Sequence, residues 1–130
     1  MAEQKFQTPP AATKVPVIAR RRNDLNEEVF ELLVEGRYIG HATVADLGDV
    51  YWIDEIRVGC DHQGSGYGNL LLTAVLGAYN DGDFALSCEQ FDVGLSSSAL
   101  AAWYARHGFR EDWHPDFEHR MIRPAADAAH

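Results

Sequence analysis

A glycine-dense stretch in the middle of the chain limits its possible folds more than any other feature. Residues Gly59–Gly68 (GCDHQGSGYG) are too rich in glycine to form regular structure. The preceding residues, Val50–Val58 (VYWIDEIRV), have the composition of a strand, and Asn69–Asn80 has apolar residues at helical spacing. A strand, a glycine loop and a helix in succession form a geometry that binds phosphate, because the backbone can approach closely and the helix start offers free N–H groups.

The rest of the chain predicts further strands and a second helix. Two apolar runs separated by Gly36 and Arg37 are typical of a hairpin. A serine cluster can cap the start of the second helix, and Gly108 fits the position just past its end. The predicted strands are Val15–Arg20, Glu28–Glu35, Tyr38–Ala45, Phe84–Gln90, Phe109–Trp113 and Glu118–Arg123, and the second helix is Leu95–His107. The order β-β-β-β-α-β-α-β-β predicts a mixed α/β domain.

The length of 130 residues suits one domain with one hydrophobic core, which we place at residues 14–124. Residues 1–13 are polar, carry a Pro-Pro pair and are expected to form a flexible tail, as are residues 125–130.

The net charge of −9 disfavours nucleic acid and anionic lipid as partners, because an acidic surface repels phosphates. No apolar run approaches the roughly 20 residues that span a bilayer, and the first residues do not resemble a secretory signal. Cys60 and Cys88 form no disulfide framework, so we expect reduced thiols in a cytoplasmic protein. One bridge or redox pair is the alternative, if the two cysteines lie on neighbouring strands.

Two common nucleotide motifs fit the glycine loop poorly. A P-loop requires lysine where Ser65 stands. A dinucleotide fingerprint requires GxGxxG, whereas Gly64, Gly66 and Gly68 are spaced GxGxG and follow an antiparallel meander.

The segment Ile56–Gly68 instead resembles the acetyl-CoA-binding motif of the GNAT superfamily of N-acetyltransferases. The motif core, Q/R-x-x-G-x-G/A, is matched at every position by Gln63–Gly68. Downstream, Trp103–Phe109 (WYARHGF) resembles the LYxxxGF segment of that family, and the resemblance extends over about residues 28–123. It implies a mostly antiparallel central sheet with splayed fourth and fifth strands and flanking helices. The N-terminal half would be shortened, since only Arg20–Glu27 separates the first two strands.

The resemblance implies an acetyl-CoA-dependent N-acetyltransferase that transfers an acetyl group to a primary amine of a small molecule or protein by direct attack, without a metal. Main-chain groups of Ile56 and Val58 would pair with pantetheine, and the Val58 amide would stabilise the oxyanion. Tyr104 would protonate the departing thiolate, unless it is only a core aromatic residue. The pyrophosphate would bind the loop amides of Gln63, Gly64, Ser65, Gly66, Tyr67, Gly68 and Asn69.

Two adjacent carboxylates are candidates for the base. Period-two alternation places Asp54 on the strand face of Ile56 and Val58, and Glu55 on the opposite face unless a bulge shifts the register. The pair resembles adjacent carboxylates in some antibiotic-acetylating members of the family. We favour Asp54 as base or acceptor anchor, whereas Glu55 could equally be an ion-pairing surface residue, for example with Arg57.

Two departures from the family favour an alternative, a weak or inactive GNAT-fold module that binds CoA or a protein partner. No lysine or arginine lies between Val58 and Arg106, so Arg106 and Arg110 are our candidates for the 3′-phosphate of CoA. The short N-terminal half leaves the acceptor site open or completed by a second subunit, and a homodimer is common in the family. Trp52 could line the acceptor pocket or fill the core.

Two further hypotheses are weaker. His114, Asp116 and His119 match no strong zinc spacing, so no metal site is predicted. Cys60 beside His62 is a weak candidate nucleophile.

Overall fold

The computed structural model describes residues 15–88, 93, 95–112, 115–116 and 119–125. The predicted tail 1–13 and residues 126–130 of the second tail lie outside this range. No helix among the described residues is long and apolar enough to cross a membrane.

The chain forms a seven-stranded sheet with two helices. The strands are β1 (Val17–Arg22), β2 (Glu28–Val34), β3 (Arg37–Asp46), β4 (Tyr51–Val58), β5 (Phe84–Ser87), β6 (Arg110–Glu111) and β7 (Arg120–Arg123). The helices are α1 (Tyr67–Ala78) and α2 (Ser97–Arg106), with a short 3-10 turn at Cys60–His62. Neighbouring strands run in the order β1-β2-β3-β4-β5-β7-β6 and pair antiparallel, except for the parallel pair β4 and β5. This architecture confirms the predicted α/β class and element order.

The first two strands are joined by a tight turn over residues 23–27. The side chain of Asn23 accepts hydrogen bonds from the amides of Leu25 and Glu27 (3.0 and 2.9 Å), and Asn26 has a φ of 63°. Such local bonds are the reason that asparagine favours turns. From residue 15 to the 3-10 turn at Cys60, the described chain contains no helix.

The core lies between the sheet and both helices, whose buried side chains form one hydrophobic cluster. Phe30, Ala42 and Ile56 are register partners across β2, β3 and β4, so a small residue separates two large ones. α1 contributes Leu71 and α2 contributes Leu100, both fully buried. Burying each large aliphatic or aromatic side chain contributes about 1.5–3 kcal/mol, so this cluster holds the sheet and helices in place.

Several element boundaries differ from the predictions, and β1, α1 and β5 are three examples. β1 begins and ends two residues later than expected, and the basic run at its end forms cross-strand ion pairs, Arg20 with Glu28 and Arg21 with Glu31 (2.8 and 3.2 Å). α1 begins at Tyr67, so the last residues of the glycine stretch are helical. β5 ends at Ser87, and the predicted end at Gln90 lies outside the described residues.

Candidate active site

The parallel pair β4–β5 opens into a fork. Its ladder covers only three register pairs and ends at Ile53 and Leu86, whereas β4 continues to Val58. On the β5 side, the described part of the chain offers no further pairing to Ile56 or Val58. The main chain of both residues therefore borders the open fork, which confirms the predicted splay of the fourth and fifth strands.

The loop after the fork presents backbone amides. Gly64 and Gly66 have φ angles of 85° and 84°, which only glycine adopts without strain. Gly66 is the N-cap of α1, and no side chain caps the helix start. The first helical amides, from Tyr67 to Asn69, therefore have no side-chain acceptor at the cap and can bind an anion.

Side chains tie this loop to the strand before it and to α2. The amide nitrogen of Gln63 donates to the Val58 carbonyl (3.0 Å). The Asn69 side-chain oxygen accepts from the Trp103 indole (2.6 Å) and lies 3.1 Å from Nε2 of His107. A Cβ on Gly68 would meet the Trp103 ring at 3.4 Å. These contacts hold the helix start against α2, while Ser65 remains exposed at the loop tip.

The structure corrects the predicted face of Asp54. The β3–β4 register shifts by one residue, because Thr43 pairs with Glu55 and Val44 pairs with Ile53. Asp54 is the extra residue of a β-bulge, which interrupts the alternation on which the prediction depended. Ile53 and Ile56 are both buried, while Asp54 is exposed and lies away from the core.

Asp54 stands at the vertex of the fork, one residue past the last β4–β5 pair. Partial burial, the negative charges of Glu27 and Glu55, and a hydrogen bond with Glu27 raise the pKa of the Asp54 carboxyl. A carboxylate with a raised pKa is a better proton acceptor than an ordinary surface aspartate.

Glu55 lies in a hydrogen-bonded chain of polar side chains. It accepts hydrogen bonds from Nε2 of His41 (3.0 Å) and Nε of Arg57 (3.1 Å), and the other ring nitrogen of His41 contacts the Tyr38 hydroxyl. Burial alone would raise the pKa of Glu55, but the bonds from His41 and Arg57 outweigh it and lower the pKa. The structure therefore places Glu55 in the ion pair with Arg57 that was its alternative interpretation.

Tyr104 is fully buried in α2 beside the fork. Its ring contacts Trp103 and Phe109, with centroids 5.0 and 5.4 Å away. Burial and the nearby Cys88 thiol, just past the end of β5, raise the pKa of the Tyr104 phenol far above its ordinary value. The phenol is therefore protonated at neutral pH and can act as a hydrogen-bond donor.

The two candidate phosphate-binding arginines line different cavities. Arg106 lines a groove of about 590 Å³ between α1 and α2, together with Thr73, Asn80 and His107. Arg110 instead borders a second cavity with Asp49 and Asp83, and Arg123 lines both cavities. Only Arg106 is therefore placed beside the helix that follows the glycine loop.

The remaining predicted residues form no second site that can be described. Cys60 is exposed, Cys88 is half-buried, and both are free thiols. Among the described residues, no group of three or more metal-ligating side chains is arranged to hold an ion. His114 lies outside those residues, so its weak candidate grouping with Asp116 and His119 is not described.

Sequence reasoning missed three residues around the fork. His41 and Glu27 were not linked to the carboxylates, because they are distant from them in sequence and meet them only in the folded sheet. Gly40 is a register partner of Val58, and a Cβ there would lie 2.3 Å from the Arg57 carbonyl oxygen. A glycine inside a strand is a known sign of close backbone approach, so Gly40 could have been found from the sequence.

An open strand edge that leads into an uncapped helix start defines a protein that can hold an elongated cofactor bearing phosphate. The comparison with known protein families agrees with this kind of protein. Residues 26–111 match the model of the acetyltransferase (GNAT) domain, which covers more than half of the chain. The chain therefore belongs to the GNAT family of acyltransferases. No curated protein is similar enough in sequence to match it.

Solved structures of low sequence identity share the fold. The ribosomal-protein-S18-alanine N-acetyltransferase from Escherichia coli is 22% identical, with a TM-score of 0.62 over 75% of this chain and 68% of that one. A GNAT family acetyltransferase from Elizabethkingia anophelis with acetyl-CoA bound is 14% identical, with a TM-score of 0.67 over 84% and 97%. The anti-CRISPR protein AcrVA5 is 21% identical, with a TM-score of 0.53 over 65% and 88%.

Proposed function

We propose that this protein is an acetyl-CoA-dependent N-acetyltransferase that acetylates a primary amine of a small molecule or protein. The observation that carries the proposal is the open β4 edge, which leads directly into the uncapped start of α1. Pantetheine would pair with the main chain of Ile56 and Val58. The pyrophosphate would bind the amides of the loop from Gln63 to Asn69, including Gly64, Ser65, Gly66, Tyr67 and Gly68.

Asp54 is our candidate base, because it lies at the fork vertex and its pKa is raised. It would take a proton from the ammonium group, and the free amine would attack the thioester carbonyl. A C–N bond forms, the C–S bond breaks, the nitrogen loses its second proton to solvent, and CoA leaves as the thiolate. Glu55, held by His41 and Arg57, would keep negative charge next to the incoming cation.

The Val58 amide would donate to the oxyanion. Tyr104 would donate a hydrogen bond to the leaving sulfur. Its pKa is far above the value of about 8.5 that is typical of thiols, so we expect stabilisation of the thiolate rather than complete proton transfer.

The length of the Elizabethkingia anophelis acetyltransferase supports the proposal. That acetyltransferase has acetyl-CoA bound, and this chain covers 97% of its length. A GNAT fold of about this size is therefore large enough to hold the cosubstrate.

We also propose that Arg106 binds the 3′-phosphate of CoA, since it lies in the groove between α1 and α2. Replacing Arg106 with Glu should weaken CoA binding by about tenfold, while dephospho-CoA, which lacks that phosphate, should bind both proteins equally. Equal CoA affinity of the two proteins would remove Arg106 from the site.

The first test is calorimetric titration of acetyl-CoA into the wild type and Gly66→Glu. We expect at least about tenfold weaker binding to the variant, because a carboxylate at the helix start repels the pyrophosphate. Gly48→Glu is the matched control, since Gly48 also has a positive φ (94°) and open space around it but lies in the β3–β4 turn. Equal losses in both variants would indicate misfolding instead of a lost phosphate site.

A second candidate function is a module that binds CoA without turnover. The specific observation in its favour is the absence of any lysine or arginine from residue 59 to residue 105, around the loop that would hold an anionic cofactor. CoA release measured with a panel of polyamines, aminoglycosides and lysine peptides separates the two candidates. Binding without release on any acceptor would favour the module.

A further inference from the structure

The sheet face opposite the helices carries a cavity that the proposed chemistry does not use. Its volume is about 440 Å³, and it is lined by Leu47, Asp49, Val50, Trp52, Ala85 and Arg120. Trp52 stands between two alanines, because its register partners are Ala45 on β3 and Ala85 on β5. An indole flanked by side chains of one carbon each leaves a recess with one flat aromatic wall.

One lining residue of this recess, Trp52, lies on β4 two residues before the proposed base. Trp52 and Asp54 flank Ile53, whose side chain is buried in the core, so both point away from that core. Two residues along an extended strand are about 6–7 Å apart, which a short linker between an ammonium group and a ring can span.

The charges favour a ligand with a cationic end and an apolar body. Asp54, Glu27 and Glu55 place negative charge at the fork. Leu47, Val50 and the indole line the other end, together with Asp49 and with Arg120, which forms an ion pair with Asp112 (3.2 Å). A cation is attracted to the first end, and a flat apolar group can stack on the second.

We propose that the acceptor is a primary amine joined by a short linker to an apolar ring, and that Trp52 selects it by contact with the ring. This inference rests on the proposed acetyltransferase function and narrows its substrate class. Trp52 would act as a specificity residue, so its removal should affect the acceptor and leave acetyl-CoA binding unchanged.

Acetylation of phenethylamine compared with ethylamine tests the proposal, since the two differ by the ring alone. We expect kcat/KM for phenethylamine to be at least about tenfold higher in the wild type. Trp52→Ala should raise KM for phenethylamine by about tenfold with little change for ethylamine, and Trp52→Phe should restore most of the preference. Val17→Ala is the control, because it also shortens an exposed apolar side chain, but on the far edge strand β1.

A second measurement separates failure of this proposal from failure of the proposed function. Phenethylamine is titrated by calorimetry into wild type and Trp52→Ala, both saturated with CoA. Binding that depends on Trp52 without any acetylation would keep the recess and reject the enzyme. Acetylation of both amines with equal kcat/KM would overturn the recess as an acceptor site. A dimer that is seen by sedimentation in the wild type and is absent in Trp52→Ala would also overturn it.

Discussion

At the scale of single residues, neighbouring carboxylates in one strand have opposite environments. Asp54 faces the carboxylates of Glu27 and Glu55, whereas Glu55 accepts hydrogen bonds from His41 and Arg57. The bulge leaves Asp54 without a register partner on β3, and the end of the β4–β5 ladder at Ile53 places Asp54 at the fork. A raised pKa suits Asp54 as the base that accepts a proton. A stabilised negative charge suits Glu55 as the group beside the incoming cation.

The two carboxylates should change stability in opposite directions. The raised pKa of Asp54 means that ionisation of its carboxyl disfavours the fold. The protonated carboxyl stabilises the fold at acidic pH, and this stabilisation is lost as pH rises through the folded-state pKa. Asp54→Asn should therefore raise Tm at pH 7. The lowered pKa of Glu55 contributes stability above its unfolded pKa, which is lost as pH falls through the folded-state value. Glu55→Gln should lower Tm at pH 7.

Thermal unfolding of both variants between pH 3 and pH 7 checks this prediction. Both differences from the wild type should shrink as pH falls, because protonation removes the charge of each carboxyl. Shifts of the same sign at pH 7 would contradict the assigned environments.

Tyr104 provides the second prediction at this scale. Tyr104→Phe keeps the ring that packs against Phe109 and removes only the hydroxyl. We expect kcat to fall by about 100-fold with an unchanged Kd for acetyl-CoA, because the donor acts on charge that develops during thiolate departure. Rates come from CoA release and Kd from calorimetry. An unchanged kcat would make Tyr104 a core aromatic residue only.

At the scale of elements, β3 and β4 approach so closely that one position admits no side chain. A Cβ on Gly40 would lie 2.3 Å from the Arg57 carbonyl oxygen and 3.0 Å from Cα of Val58. Gly40→Ala must therefore displace the end of β4, where the oxyanion donor is proposed. We expect a loss of about 1–3 kcal/mol in the free energy of unfolding, measured with urea.

Gly77→Ala is the matched control for that prediction. Gly77 lies in α1, and a Cβ there has nothing within 4 Å. Alanine should stabilise the helix by about 0.5–1 kcal/mol, since it restricts the unfolded chain and favours the helix. A loss at Gly77 as large as at Gly40 would mean that the close strand contact is not the cause.

At the scale of the whole molecule, an acidic protein must attract an anionic cosubstrate. The net charge is −9, and the proposed phosphate site relies on amides and on Arg106. The Debye length falls from about 30 Å at 0.01 M salt to about 8 Å at 0.15 M, so added salt screens the long-range repulsion. We expect the association rate of acetyl-CoA to rise with salt over this range in stopped-flow measurements.

The opposite salt dependence would show that local cations dominate the approach of the ligand. Arg106→Gln then tests whether Arg106 is the main local cation. The variant should remove the salt dependence of the association rate only if Arg106 supplies the attractive potential. Gly48→Glu adds one negative charge far from the loop and should strengthen the repulsion slightly.

Local patterns determined much of this protein. The order of strands and helices, the anion-binding loop, the helix end at Gly108 and the GNAT family were all predicted, because each depends on residues that are neighbours in the chain. Gly66 shows the limit of such patterns. Its place in the motif was clear, but its left-handed conformation (φ of 84°) lets α1 begin two residues earlier than the apolar spacing indicates.

Tertiary structure decided the arrangement of the side chains that would act. The bulge at Asp54, the bond from His41 to Glu55 and the separation of Arg106 from Arg110 depend on how distant segments pair. A shift of one residue in strand register moves a side chain to the other face, and no property of the strand alone records it. The sequence by itself therefore determined that the chain is a GNAT domain, and only the packed sheet decided which carboxylate stands at its fork.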